Sequence, residues 1–359
     1  MSRNFLNTPM SKRARVLFMS GVSLMVLILI ALLLPVPFVR MSPGPTFNVI
    51  GERDGKQMIE VSGTTTYPVT GDLRMVTVLE SGGPRGGLSF ITAIASWFNS
   101  EDAVVPRELV YPDDVSGDDV KSQQAAMFSS SETDAVGAAM VYLDEPTTQT
   151  VIVAAVNSDA PATGKLEPGD VIVAVNGAAI AETKQVSAMI QAQPVGTTFR
   201  FTIERNGKKQ DVEVTSAANP ENNKTPYIGI GVGVVLTPEF EVKFNVDGVG
   251  GPSAGLMLSM GLIDKLTPGD LAKGKDIAGT GTIRPDGTVG GIGGIRQKLA
   301  GASTAGAKLF LVPAGNCKEA QGHIPEGLTV TPVKTLTDGI NAVEKWTAGL
   351  PVPACPVQT

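Results

Sequence analysis

The apolar pattern is densest near the N-terminus. From Val16 to Leu34, nineteen positions, only Ser20, Gly21 and Ser23 interrupt strongly hydrophobic side chains. As a helix, a run of this length crosses the roughly 30 Å hydrocarbon core of a bilayer. From there to about residue 147 the pattern is mixed. Residues 41–56 read as a turn-rich exit, residues 73–79 alternate as a strand, residues 88–98 have helical spacing, and residues 118–143 read as one long helix with Ser129 to Ser131 as a candidate break. Residues 148–216 change to strand periodicity, at 151–156, 171–176, 198–205 and 210–215, with a helix near 183–192 and an Asn206-Gly207 turn. In the last third, Leu256, Met257, Met260, Ile263 and Leu266 recur at helical offsets, as do Ile295, Leu299 and Ala302. The expected fold class is a multidomain α/β (α+β) protein. Its parts are an N-terminus at 1–15, a transmembrane anchor at 16–39, a membrane-proximal region with a long helix at 41–147, a β-rich domain at 148–216, a C-terminal domain at 226–347 and a tail at 348–359.

Charge gives the anchor a direction. Arg3, Lys12, Arg13 and Arg15 precede the apolar run, which predicts a cytoplasmic N-terminus and a single pass. A cleaved signal peptide has a shorter apolar core and a small-x-small site after it, whereas Pro35-Val36-Pro37-Phe38-Val39-Arg40 follows here. Residues 1–40 hold five of the 29 Lys and Arg and none of the acids, leaving 24 basic against 35 acidic, net −11, for the part expected outside the membrane. That balance argues against a nucleic-acid partner. In an extracytoplasmic compartment Cys317 and Cys355 are free to pair, although two unpaired thiols fit the sequence as well.

With His323 as the single histidine, an HExxH zinc helix and any multi-histidine metal site are excluded, and no metal or cofactor is expected. Gly269 to Asp276 fits the GxxxxGK part of a P-loop, but Asp276 stands where Mg²⁺ needs a Ser or Thr and no strand leads in, so no ATP is expected. Gly82-Gly83-Pro84 is followed by Arg85 and carries no chemistry. The remaining candidate is Gly250-Gly251-Pro252-Ser253-Ala254-Gly255, read with Gly293-Gly294-Ile295-Arg296-Gln297-Lys298. Ser253 stands at a helix start, where free backbone N–H groups suit an oxyanion hole. Lys298, at i+3 from Ile295, shares the buried stripe, where desolvation lowers an amine's pKa toward that of a usable base. The competing structural reading has Ser253 as an N-cap in a Gly-rich turn and Lys298 snorkelling to water.

Residues 226 to 345 resemble the proteolytic domain of Lon proteases (peptidase family S16). The Gly-Pro-Ser-Ala-Gly at Gly251 to Gly255, the Thr280-Gly281 after a strand with its Pro285-Asp286-Gly287 turn, the Gly-Gly-hydrophobic-x-x-Lys at Gly293 to Lys298 and the strand at Lys308 to Pro313 carry the likeness. It implies Ser253 as nucleophile, Lys298 as general base and Thr280 as a supporting hydroxyl. The family's Asp-Gly before Pro-Ser is Gly250-Gly251 here, with Asp247 further upstream. Leu166 to Gly177 resembles the Leu-x-Pro-Gly-Asp-x-Ile-x-x-Val-Asn-Gly run of bacterial PDZ domains, which implies peptide capture by strand addition, with the groove expected between 151–156 and 183–192. The whole is similar to membrane-anchored, PDZ-bearing Lon-like peptidases. The implied function is an ATP-independent serine endopeptidase acting on extracytoplasmic or membrane-proximal proteins, with a homo-oligomer as an open option. A carboxy-terminal processing peptidase and a catalytically silent PDZ scaffold at the membrane are the alternatives.

Overall fold

The computed structural model describes residues 11–83, 86–111, 116–220 and 222–356. Arg3, Pro84, Arg85 and residues 357–359 lie outside them. The apolar run forms α1 (Lys12–Leu33), capped by the Ser11 hydroxyl, which accepts from the Ala14 N–H at 3.2 Å. Its apolar segment, Lys12–Ile30, is not covered by any protein and is long and apolar enough to cross a membrane.

Beyond α1 the chain runs through β1 (Phe38–Asn48), β2 (Asp72–Ser81), α2 (Phe90–Trp97), β3 (Ala103–Pro106) and α3 (Gly117–Leu143). It continues as β4 (Thr147–Val156), β5 (Val171–Val175), α4 (Thr183–Gln191), β6 (Thr198–Arg205), β7 (Lys208–Thr215) and β8 (Ile230–Pro238). The C-terminal third holds α5 (Gly255–Leu266), β9 (Asp276–Gly279), α6 (Ile295–Thr304), β10 (Leu309–Pro313), α7 (Cys317–Ala320), β11 (Thr329–Val333) and α8 (Leu336–Thr347).

Two sheets organise these elements. The first has the order β11-β10-β9-β2-β1-β3, with β11, β10, β9 and β2 parallel and β1 antiparallel to both of its neighbours, β2 and β3. Period-two alternation gives it two apolar faces. Leu309 and Leu311 of β10 enter the core shared with α3, α5 and α8, while Phe310 and Val312 enter the one shared with α6 and α7. The second sheet, β7-β6-β5-β4-β8, is antiparallel throughout and encloses its own core around Phe199, Phe201 and Ile203, covered by Val186 and Ile190 of α4.

The structure differs from the sequence expectation in three places. Residues 41–147 do not stand apart as a membrane-proximal region: β1, β2 and β3 are half of the first sheet, and α3 packs along α5. Pairing partners this distant leave no periodicity that would link them. The three serines do not break α3, because Ser131 is buried and its hydroxyl donates to the Pro252 carbonyl at 3.0 Å. The β-rich unit does not close at residue 216. β8, expected in the C-terminal domain, pairs with β4 from Ile230↔Val156 to Pro238↔Thr147.

Cys317 and Cys355 are disulfide-bonded, tying the tail to α7 across a separation of 38 residues. Two outcomes follow. Reducing this bond is expected to lower stability by roughly 3 to 4 kcal/mol in the chain-entropy treatment of such a loop. Thiol labelling of denatured, unreduced protein from acid-quenched cells should find no reactive thiols, and two would contradict the pairing. Because Thr147 and Pro238 are neighbours, excising residues 147–238 with a short turn should cost less thermal stability than excising 148–216, which leaves β8 without its partner. Thermal unfolding of the two deletions compares them.

Candidate active site

Four parallel strands end on the same side of the first sheet, and the crevice beyond their carboxyl ends is a common place for a site in such sheets. There β9 stops at Gly279 and Thr280 follows, with 0% of its surface exposed. α5 lies on one face of the sheet and α6 on the other, so groups at their N-terminal turns meet beyond the strand end.

The turn into α5 is held from several sides. Gly251, at φ +81°, donates its N–H to the Gln124 carbonyl of α3 at 3.0 Å, and Ser131 holds Pro252 as described. From the strand side, the Gly281 N–H and the Thr280 hydroxyl both donate to the Ser253 carbonyl, at 2.9 and 3.1 Å. The small residue at 255 is a packing requirement, since a Cβ there would stand 2.6 Å from Ile283 Cγ2 and 2.9 Å from Ser131 Oγ. Ala254, not Ser253, is the residue directly preceding α5. The N-cap reading of the serine therefore does not apply, and its hydroxyl is half-buried and turned toward Lys298.

α6 starts from Gly294 in a left-handed conformation, φ +70°, where a Cβ would also press on Val78 Cγ2 at 2.7 Å. Ile295, Leu299 and Ala302 then face the core, and Lys298 is carried into it at 4% exposure. Its Nζ lies 2.9 Å from Ser253 Oγ and 3.0 Å from Thr280 Oγ1. The Thr280 hydroxyl spends its proton on the Ser253 carbonyl, which leaves its lone pairs to accept from Lys298.

Burial dominates the electrostatics. Desolvation pulls the Lys298 pKa down from 10.5 to about 7, and the charge of Glu319, on α7, acts in the opposite sense. Asp247 is exposed, and Lys298 makes no hydrogen bond to any carboxylate among the described residues. His323 is exposed, in the connection after α7.

The three sequence-predicted residues thus come together, Ser253 and Lys298 lining a cleft of about 690 Å³ and Thr280 buried behind them, and the sequence did not indicate the cleft's more distant walls. Met41 of β1, Leu79 of β2 and Gln124 of α3 line it, opposite Ile292. The loop bearing Ile292 is fixed by buried Asn316, whose amide accepts from the Ile292 N–H at 2.9 Å and donates to its carbonyl at 2.7 Å. Apolar strand residues two hundred positions upstream carry no local signal of such a role.

One further sequence-level site is placed differently from expectation. β4 pairs with β8 along its length and with β5 at Ile152, so residues 151–156 lie inside the sheet and are not its end strand. The end strand of that sheet is β8, whose Ile230 and Val232 pack on the same core as Val186 and Ile190 of α4. Gly269 to Asp276 connects α5 to β9, with the Asp270 carboxylate accepting the Lys273 N–H at 2.9 Å. Among the described residues no group of three or more His, Cys, Asp or Glu side chains is placed to hold a metal ion.

Comparison with known proteins finds matches in both units. The family of the Lon protease (S16) C-terminal proteolytic domain matches residues 247–344, and the PDZ domain family matches residues 133–215. The Lon protease of Azospirillum brasilense is 29% identical over 183 residues, 49% of this chain and 22% of its own length. That of Buchnera aphidicola subsp. Schizaphis graminum is 37% identical over 91 residues, 24% of this chain and 12% of its own. For Acinetobacter baumannii the values are 34% over 110 residues, 30% and 13%. The chain therefore spans under a quarter of the length of these curated relatives. Among solved structures, the PDZ domain of an SdrC-like protein from Listeria monocytogenes is 28% identical, covering 23% of this chain and 85% of that one at a TM-score of 0.22.

The amine's burial has a thermodynamic sign. Between pH 7 and 10.5 the unfolded chain holds a proton on Lys298 that the folded chain does not, so this group makes stability rise with pH over that window. At about 1.4 kcal/mol per unit, the displacement to about 7 is a penalty of a few kcal/mol near neutrality. Lys298→Met is expected to unfold at a higher temperature than the parent near pH 7, by an advantage that shrinks toward pH 10. NMR of the lysine ε-carbons should show one group titrating near pH 7, moving lower in Glu319→Gln.

Proposed function

We propose that this chain, which joins a PDZ domain to a Lon-type (S16) proteolytic domain, is a membrane-anchored serine endopeptidase that uses Ser253 and Lys298 as a catalytic dyad without ATP. The observation that carries the reading is the 2.9 Å contact between a half-buried serine hydroxyl and a buried amine whose pKa lies at about 7, opening on a cleft. A base works best with a pKa near the operating pH, and the two groups are already within proton-transfer distance.

In the neutral form Lys298 accepts the Ser253 proton on its lone pair while its own N–H donates to Thr280, which holds the amine in line. The serine oxygen then attacks the scissile carbonyl carbon, and Lys298, now an ammonium, returns the proton to the departing amine. That leaves an acyl-enzyme. Water, deprotonated by the same lysine, attacks the ester carbonyl, and the proton passes back to Ser253 as the acid departs. The oxyanion donors are assigned to the turn before α5, since the Leu256 N–H in the first turn of the helix is committed to the Gly281 carbonyl at 3.1 Å.

Substrates are proposed to be extracytoplasmic or membrane-proximal polypeptides. β1 leaves the end of α1 within a few residues and contributes Met41 to the cleft, which supports an active site close to the membrane surface. The disulfide favours the extracytoplasmic side. The PDZ unit is proposed to present peptide through β8 and α4.

Mutational kinetics on an unfolded protein substrate test the dyad. Ser253→Ala and Lys298→Met should each remove nearly all turnover in a folded protein. Because the two act as a unit, the double variant should be scarcely worse than either. Thr280→Val should retain a fraction of the rate. Parent activity should rise with pH through about 7 and then level off, as the amine loses its proton. Near-full activity in Lys298→Met sinks this mechanism, and turnover in no condition leaves the scaffold reading.

A further inference from the structure

α2 is built inside out for a protein surface that meets water. Its inward side is made of small residues, Ala93 and Ser96, both buried. Its outward side is made of large ones. Phe90, Ile91 and Ile94 are 40 to 50% exposed, and Trp97 and the following Phe98 are 77 and 88% exposed. Positions 90, 91, 94, 97 and 98 form one face of a helix, so this is a continuous apolar surface and not scattered exposure.

Its location is set by the membrane segment. Two residues past the end of α1, Pro35 pairs with Ser89, and Ser89 is the N-cap of α2, its hydroxyl accepting the Thr92 N–H at 3.2 Å. Two residues of chain reach about 7 Å and a ladder spacing adds about 5 Å, so α2 begins near where α1 leaves the hydrocarbon. Just beyond, the Arg107 N–H donates to the Pro37 carbonyl at 3.0 Å, and Leu109 is 75% exposed at the same end of the molecule.

We propose that α2 lies in the outer interface of the bilayer that α1 spans, with Trp97 and Phe98 at the headgroup–acyl boundary. The inference rests on α1 being a membrane span. A short helix with aromatic and aliphatic side chains on one side is suited to the upper 5 to 10 Å of a leaflet, and Trp favours the headgroup level. This second contact restrains the whole catalytic unit. The Ser100–Glu101 loop after α2 accepts hydrogen bonds from Arg296 at 2.9 Å and from Gln297 at 3.1 Å, neighbours of Lys298 on α6. The cleft is thereby held at a set height above the lipid, favouring juxtamembrane segments of substrate.

The test uses the full chain reconstituted in phosphatidylcholine–phosphatidylglycerol vesicles, with phosphatidylcholine brominated near the top of its acyl chains as quencher. The chain has two tryptophans, and Trp346→Phe leaves Trp97 alone. Its emission should be blue-shifted and mostly quenched, while Trp97→Phe, retaining only Trp346, should be little quenched. Should Trp346→Phe fold poorly, the difference between parent and Trp97→Phe supplies the same quantity. Flotation is measured in parallel. Protein that floats with unquenched Trp97 overturns the interfacial seat and leaves the anchor standing, whereas protein that fails to float overturns both. Unquenched Trp97 together with a dimer that Trp97→Asp dissociates assigns this face to a second copy instead.

Discussion

The candidate site depends on keeping the Lys298 amine out of water with no carboxylate among the described residues bonded to it. Taking a charged amine into a protein interior costs several kcal/mol, and proteins avoid that cost by pairing the charge or by releasing the proton. Here the partners are two hydroxyl oxygens, Ser253 Oγ and Thr280 Oγ1, which satisfy a neutral amine far better than an ammonium. The same burial that destabilises the charged form therefore favours a neutral amine near pH 7. Glu319, acting from α7 without touching the amine, keeps its pKa from falling further.

That constraint reaches through most of the fold. The Lys298 amine comes from one face of the sheet and the Ser253 hydroxyl from the other, so both helices must be seated on a sheet wide enough to hold them. The N-terminal strands complete it. β2 pairs directly with β9, β1 with β2, and both wall the cleft, while α3 covers α5 and holds the turn of Ser253 through Gln124 and Ser131. Glycines at 255 and 294 let these layers approach within distances that a side chain would block.

The second sheet is an insertion whose entry and exit are neighbours. The chain leaves α3, runs through β4 to β8 and returns at Pro238 opposite Thr147, so the PDZ unit is carried beside the Lon-type one at little topological cost. At the other end, the passage from α1 into β1 leaves almost no tether between them. A helix long and apolar enough to cross a membrane and a wall of the candidate cleft are thus parts of one continuous stretch of backbone.

The local motifs around Ser253, Thr280 and Lys298 were legible in the sequence because each carries its own signal. The turn glycines mark backbone positions that tolerate no side chain, the apolar offsets mark α5 and α6, and the i+3 position of Lys298 marks the buried stripe. The apolar N-terminal helix and the succession of strands after α3 were legible for the same reason, as periodicity is a local property. Which strands lie side by side is not local. The placement of β1, β2 and β3 in the catalytic sheet, of β8 along β4, of α3 against α5, and of Asn316 behind Ile292 joins residues up to two hundred positions apart. Such pairings are chosen by the summed fit of whole faces, which only the tertiary structure decides. The contact that converts a serine and a lysine into a pair belongs to that second class: two separate helix starts announce the groups, and the end of a strand between them brings their atoms to 2.9 Å.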